Sequence, residues 1–206
     1  MNRTNTMSPT LPAVGRPKAS RCRSLKSLWR HDHGVAVVEF GLMLPVLMTL
    51  FYASFEITRY ILIVQKVEKL AHSVADVTAQ SQVVTIASLD QVMSAASDIM
   101  SPFSLGTNGK VFVTSLYRAA GVANATVNWR YEGGGALPSV ASQLGALGAT
   151  PTMPAGFTFE ERENVIAGEV FFRFSPLVSS QFFGTTTVYR AAFYKPRLGA
   201  LLTPPA

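Results

Sequence analysis

The feature that most constrains this chain is an apolar run from Gly34 to Phe55. The run is 22 residues long and carries a single acid, Glu39, near its start. About 20 apolar residues are enough for a helix to cross the hydrocarbon core of a bilayer. A carboxylate at the centre of such a helix costs about 2.5–3.5 kcal/mol, so the acid needs a physical explanation. The run predicts a transmembrane helix over residues 35–56 in which Glu39 has a specific role.

The excess positive charge of the chain lies before this run. Residues 1–33 contain seven Lys or Arg side chains and one Asp, whereas the remaining residues contain eleven basic and eleven acidic side chains. A basic flank of a membrane helix stays in the cytoplasm, so we expect residues 57–206 on the far side of the membrane. The neutral remainder argues against a nucleic-acid partner. Cys22 is the only cysteine, so the downstream domain has no internal disulfide.

The helical pattern continues beyond the apolar run. Seven residues at alternating steps of three and four define one face, namely Ile57, Tyr60, Val64, Val67, Ala71, Val74 and Thr78. This spacing is typical of an amphipathic helix that packs one side on a core. We therefore predict one helix that is apolar within the membrane and amphipathic outside it. Pro45 removes one backbone hydrogen bond and is predicted to bend the membrane part.

The later sequence predicts a second helix followed by strands. Ser88 and Gln91 have the spacing of a capping box, which predicts a helix over about 89–100 with Ser88 as N-cap. Alternating or apolar runs predict four strands, at 111–117, 125–131, 165–174 and 185–194. The Gly- and Pro-rich residues 133–154 predict a long surface connection with room for a short helix at 138–147. The predicted fold class is α+β, in which the long N-terminal transmembrane and amphipathic helix packs on an antiparallel sheet of about four strands.

The start of the apolar run also has the properties of a processing site. A secretory signal peptide is cut after its apolar region, but no small-residue cleavage site follows Phe55. Cleavage before the apolar region needs a small residue at the cut and a polar recognition element nearby. Gly34 and Glu39 fit these two roles, which predicts a cut between Gly34 and Val35 at the cytoplasmic face.

The residues around this site resemble a known family. Gly34-Val-Ala-Val-Val-Glu39-Phe40, followed by Gly41-Leu-Met-Leu-Pro45, resembles the start of the TadE/TadG-like minor pilins, or pseudopilins, of Flp-type tight-adherence pilus systems. The later run from Tyr189 to Arg197 resembles the family's last strand with its Pro-Arg ending. The lack of an Asp-x-Ser-x-Ser motif and the short chain fit the smaller TadE-like type.

The resemblance implies a set of partners and a location. The leader, residues 1–34, would be disordered and removed after Gly34 by a prepilin peptidase. The partners would be that peptidase, other pilins or pseudopilins, and Tad inner-membrane assembly proteins. The mature protein would be a single-pass protein of the bacterial inner membrane, able to enter a pilus and serve surface adherence, with no enzymatic activity and no cofactor.

A role for the acid follows from this resemblance. Glu39 and Phe40 would be the fifth and sixth residues of the mature chain, and together they form the predicted recognition and assembly element. Cleavage creates an ammonium group at Val35, one helical turn from Glu39. Because an unpaired charge in lipid is costly, Glu39 is predicted to neutralise that ammonium within its own chain or in a neighbouring subunit.

Other interpretations remain open at this point. Glu39 could be a chance acid at the edge of a plain signal anchor, and the chain could be a signal-anchored envelope enzyme or ligand-binding protein. His31, Asp32 and His33 would be lost on cleavage, and no metal site is predicted. The acids at 160–163 are interpreted as a solvated turn, and no catalytic residue is predicted. The aromatic residues Phe171, Phe172, Phe174, Phe182 and Phe183 are interpreted as core rather than binding surface. Phe171 and Phe172 point to opposite strand faces, so the alternative that one of them is exposed or covered by a partner stays open.

Overall fold

The structure is a computed structural model that describes residues 32–177 and 184–206. Of the predicted leader, residues 1–31 lie outside the described residues, as do Phe182 and Phe183, whereas residues 32–34 belong to the start of the first helix. The first helix, α1, runs over Asp32–Ala79 as 48 residues with Pro45 inside it. The chain divides into two compact units whose boundary falls between Thr49 and Leu50 of this helix. The prediction of one helix from the apolar run to residue 78 is confirmed.

The turns of α1 up to Thr49 have no protein cover. Every side chain from Val35 to Thr49 is exposed, including the large apolar ones. A helix that is apolar on all sides and exposed on all sides lacks the amphipathic pattern of a water-facing helix. These turns therefore require a non-aqueous surrounding.

The later turns of α1 form the central core element of the second unit. Eight residues on one side are buried, namely Ile63, Val67, Leu70, Ala71, Val74, Ala75, Thr78 and Ala79. The predicted stripe is correct from Val67 to Thr78. It is wrong at its start, because Ile57 and Tyr60 are 59% and 40% exposed. The side chain that faces the domain in that turn is Glu56, and continuous apolar packing begins only at Ile63.

The second helix, α2, starts three residues earlier than predicted. It spans Ile86–Met100, and its N-cap is Thr85 rather than Ser88. The Ser88 N–H donates to Thr85 Oγ1 at 3.1 Å, and the Thr85 N–H donates to Ser88 Oγ at 3.0 Å. Ser88 is therefore the third helical residue, N3, of the capping box and not its N-cap. At the other end, Lys66 Nζ donates to the Ile99 carbonyl at 3.0 Å, where a cation suits the helix dipole.

Four antiparallel strands form one sheet, as predicted. Their bounds are β1 Gly109–Tyr117, β2 Thr126–Gly133, β3 Asn164–Phe174 and β4 Thr186–Tyr194, in the order β2-β1-β3-β4. The register shifts where Ser115 pairs with Trp129 but Leu116 pairs with Val127, so Asn128 is a bulge residue. Because of this bulge, Trp129 joins the helix-side core while Val127 joins a cluster on the other face.

Both faces of the sheet are covered. One face packs on α1 and α2, and the other lies under the connection between β2 and β3, which contributes the buried Leu137 and Leu144. Phe172 packs on the helix side and Phe171 under the connection, and they are only 5% and 4% exposed. The interpretation of both rings as core is therefore confirmed, and the alternative that one of them is exposed or needs a partner is wrong.

The connection itself differs from its prediction. Residues 138–147 consist of turns and irregular backbone, so the short helix suggested there is wrong. The backbone has positive φ at Ser139, Gly145 and Gly148, which is incompatible with a right-handed helix. The same Gly- and Pro-rich composition lets the segment follow the sheet surface and deliver its few apolar side chains to it.

The C-terminal segment closes the core at the end of α1. The Arg197 N–H donates to the carbonyl of Ala79 at 3.0 Å, and its guanidinium pairs with Asp76 at 3.0 Å. Both contacts complement the negative end of the helix. Leu201 is 4% exposed, and its carbonyl accepts from Trp129 Nε1 at 2.8 Å and from Ser115 Oγ at 3.0 Å.

We predict that Gly168→Ala destabilises the domain by about 1–3 kcal/mol, the usual cost of overpacking. A Cβ at position 168 of β3 would lie 2.8 Å from the Ala71 carbonyl oxygen of α1 and 3.1 Å from Ala75 Cβ, so the helix must move. The measurement is denaturant unfolding of the full chain in detergent micelles. Gly184→Ala is the control, because a Cβ there has no neighbour within 4 Å. Equal stability of the two variants would contradict this account.

Candidate functional site

The predicted processing residues all lie in the first turns of α1. Gly34 is partly exposed, Val35 is 50% exposed and Phe40 is 61% exposed. The Glu39 side chain is also exposed. From Val35 to Thr49 every side chain is exposed, so the surface that follows the predicted cut is open to a partner or to lipid.

The helix places Val35 and Glu39 on one side. Residues four apart on an α-helix are neighbours, one above the other. An amino group at Val35, once created, would lie within reach of the Glu39 carboxylate. Phe40 follows about 100° further around the helix and points to a different side. The segment therefore presents an acid and an aromatic ring on separate sides.

Pro45 lies inside the helix, as expected from the sequence. It has no N–H to donate to the carbonyl one turn before it. One turn later, Thr49 Oγ1 donates to the Pro45 carbonyl at 2.8 Å, so this hydroxyl is satisfied within the helix. That bond matters in an apolar surrounding, where an unpaired polar group is costly. The predicted bend at Pro45 stays a prediction.

One helix in the described residues is long and apolar enough to cross a membrane. Its most apolar 18-residue window has a mean hydropathy of 2.0, and none of that window is buried. The core helix of a soluble protein would be mostly buried. Length, composition and lack of cover therefore agree with a membrane anchor near the N-terminus.

A second acid on α1 was not singled out by sequence reasoning. Glu56 is 9% exposed, and its Oε1 accepts the Leu177 N–H at 2.8 Å. Its Oε2 lies 3.5 Å from the Arg59 guanidinium, three residues later on the helix. The spacing of an acid and an arginine directly after the apolar run was the signal that could have identified it. Glu56 fixes the connection after β3 to the helix.

A third acid, Glu169 of β3, is fully buried under the β2–β3 connection. Its carboxylate accepts hydrogen bonds from Ser142 Oγ, from the Gln143 N–H at 2.9 Å and from Tyr189 Oη at 3.1 Å. Burial, together with this carboxylate, raises the pKa of Tyr189. A lone acid within an apolar strand was the available sequence signal. The cluster attaches the connection to the sheet.

Arg130 of β2 lies beside this cluster. Its guanidinium donates to the Gly145 carbonyl at 2.8 Å and to Thr114 Oγ1 at 3.1 Å. Burial lowers the pKa of Arg130, and the charges of Glu169 and Glu132 oppose that shift. Since arginine stays protonated in proteins, it remains a cation that partly balances Glu169. The Arg130 guanidinium donates to the β2–β3 connection at Gly145, so its role is to attach that connection to the sheet.

Two shallow pockets lie on the same side of the sheet. One, of about 290 Å³, is lined by residues including Arg118, Phe157 and Phe159. Arg118 donates to the carbonyls of Val122 and Phe159, at 2.8 and 2.5 Å. The other, of about 360 Å³, is lined by residues including Met153, Tyr189 and Phe193. The polar groups named here already serve the protein's own structure.

Within residues 32–177 and 184–206, no group of three or more His, Cys, Asp or Glu side chains could hold a metal ion. The side chains of Asp32 and His33 lie outside the description, as does His31. Glu160 and Glu161 are exposed beside a turn, as interpreted. The Glu163 side chain is only 8% exposed and pairs with Lys195 at 2.6 Å, so the solvated interpretation is wrong for this acid. The absence of a cofactor and of catalytic residues stays an expectation from the sequence.

A bilayer-length exposed helix that continues into the core of an α+β domain, as the described residues show it, is typical of proteins anchored in a membrane by such a helix. The family comparison is more specific, because residues 34–76 match the family model described as TadE-like protein. This segment is therefore TadE-like, as predicted, and it is consistent with a TadE-like pilin of a Tad pilus system. Proteins of that family are structural or assembly components of pili and are not known as enzymes.

The remaining comparisons give no match. No curated protein and no solved structure matches the chain significantly. The family match covers roughly a fifth of the 206 residues and includes the predicted processing site. It ends at Asp76, the residue that pairs with Arg197. The sheet, and the β2–β3 connection that covers its second face, lie outside the matched residues.

We predict that Glu169→Ala destabilises the domain by about 2–4 kcal/mol, because three part-buried donors lose their acceptor and each costs at most about 1–3 kcal/mol. Denaturant unfolding of the full chain in detergent measures the change. Limited proteolysis should show faster cutting within residues 138–147. The control is Glu132→Ala, which removes an exposed strand acid that pairs with Lys110 and also acts on Arg130 through its charge, and it should cost less than about 1 kcal/mol because the acid is exposed. A similar small loss in both variants would contradict the role given to Glu169.

Proposed function

We propose that this chain is a structural minor pilin or pseudopilin that acts in the assembly of a Flp/Tad-type pilus and in surface adherence. The observation that carries the proposal is the position of the TadE-like match, residues 34–76, on one helix. The early turns of that helix are apolar and uncovered, and the later turns form the domain core. The same element can therefore be held in the membrane and support an external domain.

The proposed topology follows from the charge distribution. The basic leader, residues 1–34, stays in the cytoplasm, and residues 35–56 span the bacterial inner membrane. Residues 57–206 form the domain on the periplasmic or extracytoplasmic side. The seven basic side chains before the apolar run support this orientation.

The proposed processing step is cleavage of the Gly34–Val35 bond by a prepilin peptidase. Water is added across this peptide bond, which leaves a carboxylate on Gly34 and an ammonium on Val35. The support is the small residue at the cut and the exposed helix that follows it. Glu39 and Phe40 are the recognition and assembly residues, and their exposed side chains are available to the peptidase and to neighbouring pilins.

The role of Glu39 is to balance the new ammonium. Both groups lie on the same side of the helix, one turn apart. In a low-dielectric surrounding an unpaired charge is expensive, so pairing within the chain or between subunits favours one axial register. Other pilins and the Tad inner-membrane assembly proteins are the proposed partners of this segment.

The alternative of a signal-anchored envelope enzyme or ligand-binding protein has less support. The two pockets are shallow, and the named hydrogen-bonding groups beside them bind the protein's own carbonyls or carboxylates. We therefore propose a non-enzymatic protein without a cofactor or metal.

N-terminal sequencing of the protein recovered from membranes tests the processing step. We expect the mature chain to begin at Val35, and Gly34→Leu to keep the leader, because a large side chain does not fit a site that needs a small residue. Gly41→Leu is the matched control. It places the same side chain elsewhere on the exposed segment, where a Cβ meets nothing within 4 Å, and it should be cleaved normally. An intact leader on the unaltered chain in cells with the peptidase would overturn the proposal.

We predict that Glu39→Ala leaves cleavage intact but lowers pilus incorporation or pilus number at least about tenfold. An unpaired charge in an apolar surrounding costs about 3–5 kcal/mol, and 1.4 kcal/mol is already tenfold. Quantitative blotting of sheared pili and of the membrane fraction measures the effect. Glu161→Ala, which removes an exposed acid in a turn of the domain, should behave as the unaltered chain. Normal piliation in the Glu39→Ala strain would remove the assembly role.

A further inference from the structure

Apolar exposure on α1 does not end where the predicted span ends. Four side chains after residue 56 are 40–59% exposed, namely Ile57, Tyr60, Ile61 and Leu62. Counted from Val35, exposed apolar side chains recur as far as Leu62 over 28 residues, or about 42 Å at 1.5 Å per residue, and are interrupted by Glu39, Glu56, Thr58 and Arg59. A bilayer is about 30 Å thick in its hydrocarbon core and about 40–45 Å with its headgroups. The run thus fits the full bilayer better than the core alone.

The connection after β3 brings a second apolar side chain to the same level. The Leu177 N–H donates to Glu56 Oε1 at 2.8 Å, which fixes the backbone there to the helix. The Leu177 side chain is nevertheless 64% exposed. Phe174, three residues earlier, is buried and packs its ring on Tyr60 at 5.4 Å. An exposed Leu whose backbone is bonded to the helix beside exposed apolar side chains is not explained by the packing of the domain.

The residue types at this level suit the lipid headgroup region. Tyr is enriched there because its ring is apolar and its hydroxyl is polar. Arg59 lies over the Phe174 ring, with its guanidinium carbon 5.6 Å from the ring centre, and arginine keeps its stem apolar and its head in water. The Glu56 carboxylate is held between Arg59 and the Leu177 N–H. The acid is therefore compatible with a position at the edge of the hydrocarbon.

We propose that Leu177, together with Ile57, Tyr60 and Ile61, forms a lipid contact in the outer headgroup region of the membrane. The occupant of this surface is the bilayer itself, since the surface continues the exposed apolar segment of the same helix. The proposal rests on the membrane insertion proposed above. It adds that the domain touches the membrane through the β3–β4 connection and not only through its helix.

The opposite end of the sheet provides an internal contrast. β3 runs from Asn164, which pairs with Tyr117, to Phe174. Eleven residues of strand cover about 35 Å at 3.2–3.4 Å per residue. Val122, in the connection after Tyr117, is 45% exposed and lies at the far end. It should remain in water when Leu177 is in the headgroups.

The test uses single cysteines in the full chain with Cys22→Ser, which removes the native thiol. The variants Phe51→Cys, Leu177→Cys and Val122→Cys are labelled with an environment-sensitive fluorophore. They are reconstituted in vesicles of phosphatidylethanolamine and phosphatidylglycerol. Quenching by lipids with a nitroxide at the headgroup is compared with quenching by aqueous iodide. Near-native unfolding midpoints of the three labelled chains confirm that they are folded.

We expect lipid nitroxides to cause a large loss of fluorescence at 51 and 177 and little loss at 122, whereas iodide quenches mainly 122. Quenching at 51 but strong iodide quenching at 177 would overturn the lipid contact and leave the membrane span intact. Protection of 177 from both quenchers would mean that protein covers it, which also overturns the proposal. No lipid quenching at 51 would overturn the span itself and the contact with it.

Discussion

The close contact between Gly168 of β3 and the backbone of α1 at Ala71 fixes the helix on the sheet. A glycine on one side and alanines at 71 and 75 on the other let the two backbones approach to a distance that a single added methyl group would prevent. The polar contacts that α1 makes before and after Ala71 depend on this placement of the helix. Arg197 can reach Ala79 and Asp76 only if the helix lies where it does, and the same holds for Leu177 and Glu56.

On the proposed topology, helix α1 passes from lipid into the external domain, and its acidic residues Glu39 and Glu56 lie at the two ends of the lipid segment. Between Glu39 and Glu56 lie sixteen uncharged residues, or about 24 Å of helix. That is shorter than the hydrocarbon core, so at least one of the two carboxylates must be neutralised near lipid. Glu56 has its partners in the domain itself, in Arg59 and the Leu177 N–H. The Glu39 side chain is exposed, which is compatible with the proposed partner, an ammonium created by cleavage or a group supplied by another chain.

The positions of the helices and strands were largely predicted from the sequence, whereas the contacts that cover the two faces of the sheet were not. Helix α1 and the four strands were predicted from the spacing of apolar residues and from the positions of Pro and Gly, because these are local signals. Thr85 was missed as N-cap because Ser88 fits two capping boxes, and only the start of α2 at Ile86 decides between them. The bulge at Asn128 and the burial of both Phe171 and Phe172 depend on what lies across the sheet. Such non-local contacts, like the three donors on Glu169, leave no periodic pattern. At the processing site, the positions on the helix were predictable, since a helix fixes them by spacing alone.

The bonds that close the end of α1 have a consequence for the order in which the chain becomes stable. Asp76 and Arg197 are 121 residues apart in sequence, and Leu201 covers the core later still. A chain threaded through a membrane from its N-terminus delivers α1 long before these residues arrive. Until those residues arrive, the buried side of the helix, which includes Val67 and Val74, has no sheet to pack against. If the topology proposed above holds, this domain completes its fold only after nearly all of it has crossed, and the membrane helix holds the chain in place while the rest assembles on it.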